Sequence, residues 1–264
     1  MIINFPDIDP VAFSVFGLDV RWYALAYLTG FILGWQYIVY LSKHWHVSAV
    51  FTKDVIDDFL VWAVVGVVLG GRVGYVLFYN LPYYADNPMQ ALQIWQGGMS
   101  FHGGLLGMSA AMLIFAKLKK LSVLRLADFV ACAAPIGLFF GRMANFINGE
   151  LYGRPTGADW GMIFGFVDNQ PRHPSQLYEA GLEGLVLFAI LFMLARLKTV
   201  QKIPGLLAAA FLAGYGIFRF LVEYVRQPDA QLGLYWDILS MGQILSASMV
   251  AAAIVLAIFC KARA

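Results

Sequence analysis

Long apolar runs separated by short polar segments dominate the chain, and the strict alternation of a half-buried strand is absent. Seven runs are about 20 residues long, which is the length that an α-helix needs to cross the hydrocarbon core of a bilayer. In lipid, a helix satisfies its backbone hydrogen bonds internally. We therefore predict seven transmembrane helices, over Trp22–Leu41, Val55–Phe78, Gly97–Ala116, Ala127–Phe146, Pro174–Ala195, Gly205–Val222 and Trp236–Phe259.

The composition supports a chain that folds in lipid. Of 264 residues, 61% are hydrophobic and 13% are charged, whereas a soluble domain is roughly 45–50% apolar and about 25% charged. The fold class is therefore expected to be an all-α polytopic membrane protein with a single integral membrane domain, residues 1–264. Residues 1–21 lack the features of a removable signal peptide and are expected to form an N-terminal periplasmic or interfacial arm. Residues 147–173 are expected to form a small periplasmic cap, with a plain connector as the alternative.

The basic residues predict the orientation in the membrane. The net charge of +2, from 18 basic and 16 acidic residues, is too balanced to indicate nucleic-acid binding. The segments after predicted helices one, three, five and seven contain 11 of the 18 basic residues, including all eight lysines. Because cytoplasmic segments are enriched in Lys and Arg, we expect the N-terminus outside and the C-terminus in the cytoplasm.

The other seven basic residues are all arginines at or near the predicted outer helix ends. Guanidinium groups bind phosphate and carboxylate through a planar fork, which lysine lacks. This pattern predicts an outward-facing anion-binding site, although buried carboxylates in or beside the helices also favour structural ion pairs. The arginines are Arg21, Arg72, Arg142, Arg154, Arg172, Arg219 and Arg226, and the carboxylates are Asp128, Glu150, Glu179, Glu183 and Glu223.

The segment "YGIFRFLVEYVRQPD" places Tyr215, Arg219 and Glu223 at successive i, i+4 positions, so the three share one helix face. An intrahelical salt bridge and a functional arginine held by its glutamate both explain this spacing, and the pattern does not choose between them.

Two histidines lie on the arginine-rich side. His102, in "GGMSFHGGLLG", precedes paired glycines that permit a close approach by a backbone or a ligand. It is a candidate proton acceptor, with packing as the alternative. His173, in "RHPSQLYE", is expected to cap or orient the start of a helix.

Several absences narrow the chemistry. The chain has no GxSxG, HExxH or Walker motif, and no intramembrane aspartyl dyad. Cys132 and Cys260 are far apart inside apolar runs, which predicts buried thiols and no disulfide or zinc site. No metal or organic cofactor is expected.

Four segments together resemble the bacterial prolipoprotein diacylglyceryl transferases: "GRMANFINGELYGRP", "FHGGLLG", "RHPSQLYE" and "YGIFRFLVEYVRQPD". The resemblance covers essentially the whole chain. It implies a multi-pass enzyme of the cell inner membrane with its active site toward the periplasm. Such an enzyme transfers the sn-1,2-diacylglyceryl group from phosphatidylglycerol to the thiol of the lipobox cysteine of a preprolipoprotein, forms a thioether and releases glycerol phosphate. Its partners would be that lipid, the signal-peptide region of the preprotein and the bilayer.

The resemblance also implies the site residues. Arg142 and Arg219 match the essential phosphate-contacting arginines, and His102 is the candidate base. Asn145 and Asn148 are expected to support Arg142, with Glu150 as an arginine partner or orienter. Further matching positions are Tyr23, Gly153, Arg154, Tyr215, Glu223 and Arg226.

From the residues alone, two other classes stay open. A phospholipid transporter or scaffold would use arginines to recognise a headgroup without breaking a bond. A structural subunit would use buried charges only to hold helices together.

Overall fold

The computed structural model of the protein describes residues 1–45, 50–227, 234–235 and 239–263. Its helices are α1 (Trp22–His44), α2 (Lys53–Phe78), α3 (Leu81–Asp86), α4 (Phe101–Leu118), α5 (Val123–Ile147), α6 (Ser175–Glu179), α7 (Leu187–Ala195), α8 (Lys198–Gln201), α9 (Leu206–Val222) and α10 (Met241–Ala262). Two 3₁₀ turns, Pro88–Leu92 and Ile94–Gln96, precede α4, and a π-helical segment, Ala180–Val186, joins α6 to α7.

The predicted apolar runs all contain helices, and the polytopic helical membrane architecture is confirmed. Among the described residues, six helical segments are long and apolar enough to cross a membrane, and α9, with 17 residues, is shorter. Helix α10 begins at Met241. The predicted start of the last helix at Trp236 lies outside the described residues.

The chain forms two compact units, residues 1–38 with 128–264, and residues 39–127. In the second unit, α2 and α4 pack through glycines. A Cβ on Gly70 would lie 2.4 Å from the Gly103 carbonyl oxygen, and one on Gly107 would lie 2.1 Å from that of Gly66. Small residues at this spacing let two helix backbones touch. The backbone that closely approaches the glycines beside His102 is therefore that of helix α2.

Short strands occupy the ends of the first unit that were expected to lie outside the membrane. Strands β2 (Val11–Val15) and β3 (Leu18–Arg21) form a hairpin. Strand β1 (Ile2–Asn4) pairs in parallel with β4 (Gly161–Ile163), which pairs antiparallel with β5 (Pro171–Arg172). The sequence pattern did not predict these strands because two to five residues are too few to show a period. Strands β6 (Leu234–Tyr235) and β7 (Leu239–Ser240) pair just before α10.

Asp128 caps a distant helix in the first unit. Its carboxylate accepts hydrogen bonds from the backbone amides of Gly205 at 2.8 Å, and of Leu207 and Ala208 at 3.0 Å. These are donors at the start of α9 that have no partner within the helix. Asp128 is thus a structural carboxylate that caps the start of α9. Cys132 and Cys260 are buried free thiols, as predicted.

Candidate active site

Three arginines from separate parts of the first unit converge on Glu179, the last residue of α6. Arg142 of α5 places Nε 2.7 Å from Glu179 Oε2. Arg219 of α9 donates from Nη1 to Glu179 Oε1 at 2.8 Å, and Arg226, just after α9, donates from Nη1 to the same oxygen at 2.9 Å. One buried carboxylate therefore holds three guanidinium groups together.

Two further glutamates complete this arrangement. Glu183 places Oε2 3.5 Å from Arg142 Nη2. Glu223 is ion-paired with Arg219, and its other oxygen accepts a 2.6 Å hydrogen bond from the Ser240 hydroxyl at the start of α10. We call the six charged residues the arginine cluster: Arg142, Arg219, Arg226, Glu179, Glu183 and Glu223. Their formal charges cancel, so the buried charge is balanced within the cluster.

The arginines are more accessible than the acids. Side-chain exposure is 17% for Arg142, 14% for Arg219 and 11% for Arg226. It is 0% for Glu179 and Glu183 and 5% for Glu223. The carboxylates therefore lie behind the guanidinium groups and fix their positions. Donors held in advance in a site poor in water are well suited to an anion, because they need little reorganisation to bind it.

Local backbone structure positions the two deepest acids. The π-helical segment Ala180–Val186 begins directly after Glu179 and contains Glu183, and such segments are rare and frequent at functional sites. A Cβ on Gly184 would lie 2.7 Å from Phe139 Cβ. The absence of a side chain at Gly184 therefore lets this segment approach α5 beside Arg142.

The signature segment after Arg142 forms a polar chain. Arg142 Nη1 lies 3.5 Å from Asn145 Oδ1, and Asn145 Nδ2 donates to Glu150 Oε2 at 3.3 Å. Asn148 donates to the other Glu150 oxygen at 3.3 Å. Of the two roles expected for Glu150, these contacts support the orienting role, because its hydrogen-bond donors here are asparagines.

Gly153 and Arg154 tie the loop after α5 to the segment that carries Arg226. The Gly153 amide donates to His173 O at 2.8 Å, and a Cβ on Gly153 would lie 2.6 Å from Val225 O. Arg154 Nε donates to Arg226 O at 2.9 Å. The close backbone packing accounts for glycine at position 153.

Two tyrosines from the sequence prediction also lie in the first unit. Tyr215 stands one turn before Arg219 on α9 and stacks on Phe211, with ring centroids 5.9 Å apart. Tyr23, the second residue of α1, has its ring centroid 5.1 Å from that of Tyr27, which interacts electrostatically with Arg142. The structure thus gathers eleven of the twelve predicted site residues in this unit.

His102, the twelfth, belongs to the unit formed by residues 39–127. It is the second residue of α4, where the Ser100 hydroxyl caps the helix by accepting from the Gly103 amide. The His102 side chain is exposed, and its ring lies edge-on to Phe101 at 5.6 Å. The exposed position is compatible with proton transfer.

Arg72, one of the seven outer arginines, is hydrogen-bonded to the loop before α4. Its Nε donates to Ala91 O at 2.8 Å, and its Nη atoms donate to Gln90 O at 2.7 Å and Gly97 O at 2.5 Å. The guanidinium also lies 5.2 Å from the ring centroid of Tyr84. The Arg72 guanidinium thus donates to backbone carbonyls of the loop before α4 and stabilises that loop.

Arg172 is likewise structural. It forms a two-point ion pair with Asp168 at 3.1 and 2.6 Å, and its hydrogen bonds hold the pKa of the Asp168 carboxyl below its usual range. Neighbouring His173 contacts the rings of Trp160 and Tyr178, and partial burial lowers the pKa of its imidazole. The N-cap residue of α6 is Pro174, and His173 Nδ1 lies 3.3 Å from the Tyr178 hydroxyl of that helix, so the contacts of His173 support the orienting role.

Sequence reasoning treated Glu179 only as a possible ion-pair partner and missed its central position. The available signal was its place in "RHPSQLYE", at the start of an apolar run where a lone carboxylate is costly. Within the described parts of the chain, no three His, Cys, Asp or Glu residues are grouped to hold a metal ion.

Comparison with known proteins gives a consistent result. Residues 10–259 match the family model described as prolipoprotein diacylglyceryl transferase. The chain is similar to proteins named phosphatidylglycerol–prolipoprotein diacylglyceryl transferase. It is 54% identical to the one from Azospirillum brasilense over 95% of this chain and 93% of the relative. It is 51% identical to the one from Paramagnetospirillum magneticum over 92% of this chain and 90% of the relative. It is 52% identical to the one from Allorhizobium ampelinum over 95% of this chain and 89% of the relative.

Proposed function

The chain belongs to the prolipoprotein diacylglyceryl transferase family, and from this premise we propose that it transfers the diacylglyceryl group of phosphatidylglycerol to the lipobox cysteine of a preprolipoprotein. The observation that carries the proposal is the arginine cluster, in which buried Glu179 holds three partly accessible guanidinium groups. The protein is an enzyme, and its expected substrates are an anionic lipid and a thiol.

The cluster matches the charge that develops in this reaction. The cysteine sulfur attacks the carbon of the diacylglyceryl unit that is bonded to the phosphate oxygen. The bond between that carbon and the oxygen breaks as the thioether forms. Glycerol phosphate leaves with the electron pair of the broken bond. Arg142 and Arg219 come from different helices and share Glu179, so they can contact the phosphate from two directions. Stabilisation of the leaving phosphate by fixed donors is the contribution that we assign to them.

The thiol must lose its proton before attack, since a thiol of ordinary pKa, about 8.5, is mostly protonated at neutral pH. His102 is exposed at the start of α4 and is our candidate base. In the alternative, the field of the arginines stabilises the thiolate and water accepts the proton. A pH profile of a His102 variant separates these two routes.

We assign substrate-binding roles to the other signature residues. Asn145 and Glu150 orient Arg142, while Gly153 and Arg154 support the segment of Arg226. Glu223 and Arg226 belong to the cluster, Tyr215 lies one turn before Arg219 on α9, and Tyr23 contacts Tyr27 on α1.

We further propose that all seven apolar segments cross the cell inner membrane, α9 included, with the N-terminus and active site periplasmic and the C-terminus cytoplasmic. The lysine distribution supports this orientation. In this arrangement residues 1–264 form one membrane domain, with residues 1–21 as an arm and 147–173 as a cap. The pairing of β1 with β4 is consistent with an arm joined to its cap.

The test is incubation of the purified protein with phosphatidylglycerol and a peptide that carries a lipobox cysteine. Mass spectrometry should detect a diacylglyceryl thioether on the peptide and an equal amount of glycerol phosphate. A peptide with serine in place of the cysteine is the matched control and should stay unmodified. Lipid binding without peptide modification would instead support a transporter or scaffold.

A further inference from the structure

Helix α6 carries two buried polar residues besides Glu179, and neither has a role in the function proposed above. Ser175 and Gln176 are the first two residues of the helix, and both side chains are fully buried. Gln176 Nε2 donates to the backbone oxygen of Glu150 at 2.5 Å, and Ser175 Oγ donates to that of Leu151 at 2.8 Å. The first turn of α6 therefore holds two consecutive carbonyls of the loop after α5.

The backbone of that loop has an unusual conformation. Gly149 and Leu151, on either side of Glu150, have φ angles of 68° and 58°. The left-handed region is costly for a residue with a side chain, so a conformation such as that of Leu151 persists only where neighbouring contacts hold it. The hydrogen bonds from Ser175 and Gln176 are contacts of this kind. They fix the direction in which the Glu150 side chain leaves the backbone.

Gln176 also closes a ring of polar contacts that includes Arg142. Glu150 Oε2 accepts from Asn145 Nδ2 at 3.3 Å, and Asn145 Oδ1 lies 3.5 Å from Arg142 Nη1. Arg142 Nε lies 2.7 Å from Glu179, which is three residues after Gln176 on the same short helix. We call this closed path the polar ring: Gln176, Glu150, Asn145, Arg142 and Glu179. One helix thus supports the Arg142 guanidinium from two directions.

We propose that Gln176 and its neighbour Ser175 are positioning residues for the transfer reaction, an inference that rests on the proposed function. They place Glu150, whose side chain orients Arg142 through Asn145. The ring contacts the Arg142 guanidinium at two separate nitrogens, Nε and Nη1, which restricts its rotation. A misplacement of about 1 Å at the reacting groups can cost roughly 100-fold in rate. Loss of this second support therefore slows the reaction even where the fold is kept.

The test removes the amide donor and nearly keeps the size of the side chain. Gln176→Met leaves the Glu150 carbonyl without this donor, because methionine has no N–H or O–H group. Gln201→Met is the matched control. Gln201 is also buried and donates from Nε2 to a backbone carbonyl, that of Ala195 at 2.8 Å, but it lies outside the polar ring. Each protein is assayed for thioether formation with phosphatidylglycerol and a lipobox peptide, and its thermal midpoint is measured.

Gln176→Met should lose about tenfold or more in kcat/KM, whereas Gln201→Met should stay close to the wild type. Both variants should lower the thermal midpoint, because each removes a donor from a buried carbonyl. A loss of activity in Gln176→Met alone therefore separates positioning from a general loss of stability. Wild-type activity of Gln176→Met would overturn the assignment.

A double variant tests the path through the Glu150 side chain. Glu150→Ala keeps the backbone carbonyl that Gln176 holds but removes the link to Asn145. In that background, Gln176→Met should change kcat/KM by less than about twofold, yet should lower the thermal midpoint as much as it does in the wild type. Equal losses of kcat/KM in both backgrounds would show that Gln176 does not act through Glu150 and would overturn the assignment.

A smaller change in the same turn decides the question if Gln176→Met does not fold. Ser175→Ala removes only the hydrogen bond to Leu151 and should lower kcat/KM by about threefold or more. Activity equal to that of the wild type would then overturn the assignment. Absence of product from the wild-type protein would overturn the proposed function itself, and the positioning roles with it.

Discussion

Replacement of Glu179 by glutamine removes one negative charge from the point where three guanidinium groups meet. The shape of the side chain is kept. Its Oε1 position can still accept from Arg219 and Arg226, which lie at 2.8 and 2.9 Å. The new amide nitrogen then faces Arg142 Nε, which lies 2.7 Å from that position, so a donor opposes a donor. The substitution thus leaves a positive charge uncompensated in a buried site.

The expected magnitude follows from the burial of the carboxylate, which is fully enclosed. Removal of one partner from a buried ion pair costs about 3–5 kcal/mol, so we expect the free energy of unfolding of Glu179→Gln to fall by about that amount. The measurement is equilibrium unfolding of the purified protein in mixed micelles. Asp168→Asn is the matched control, because it also removes the carboxylate of an arginine pair, but that carboxylate is 34% exposed, so the loss should be smaller.

A loss for Glu179→Gln as small as that of Asp168→Asn would refute the reasoning. A second comparison tests the mechanism of the loss. Glu179→Gln combined with Arg226→Gln restores the charge balance of the cluster, so the double variant should lose less stability than the sum of the two single variants. Additive losses would show that charge balance is not the cause.

Four further predictions address the site and its supports. Arg142→Lys and Arg219→Lys keep the positive charge but lose the planar two-donor geometry of the guanidinium group, so kcat/KM should fall by roughly 100-fold. Full activity of the lysine variants would exclude the proposed contact of these arginines with the lipid phosphate. His102→Gln should lower kcat by about 10²–10⁴-fold and abolish the acidic limb of its pH profile if His102 is the base, whereas an unchanged profile would leave it no such role. Asp128→Ala strands three buried amides at the start of α9 and should cost about 2–4 kcal/mol in unfolding, with Asp128→Asn as the milder control. Gly153→Ala places a Cβ 2.5 Å from His173 O and should lower the thermal midpoint; an unchanged midpoint would show that the loop adapts.

Much of the membrane architecture follows from local sequence, because the length and apolarity of a helix are properties of consecutive residues. The same holds for the i, i+4 relation of Arg219 and Glu223, which the structure shows as an ion pair. The ends of elements were less predictable. Helix α4 begins at Phe101 rather than Gly97, because the Ser100 hydroxyl supplies the cap and Gly97 and Gly98 adopt positive φ angles.

The short strands and the roles of individual charges depended on distant parts of the chain. Strand β1 (Ile2–Asn4) pairs with β4 (Gly161–Ile163), which lies at the far side of α5 in the sequence. Sequence could not separate Arg72 from Arg142, since both are arginines near predicted helix ends. Their difference lies in what faces them: backbone carbonyls for Arg72, and buried carboxylates for Arg142.

By itself, the sequence determined that this chain has the helices of a polytopic membrane protein and which family it resembles. Only the tertiary structure decided that Glu179 is the common partner of Arg142, Arg219 and Arg226. It also decided that an apolar groove forms between α1, α5 and the segment that runs into α7. The physical reason is that hydropathy and helical period are local, whereas an ion-pair geometry or a cavity exists only once separate helices have packed together.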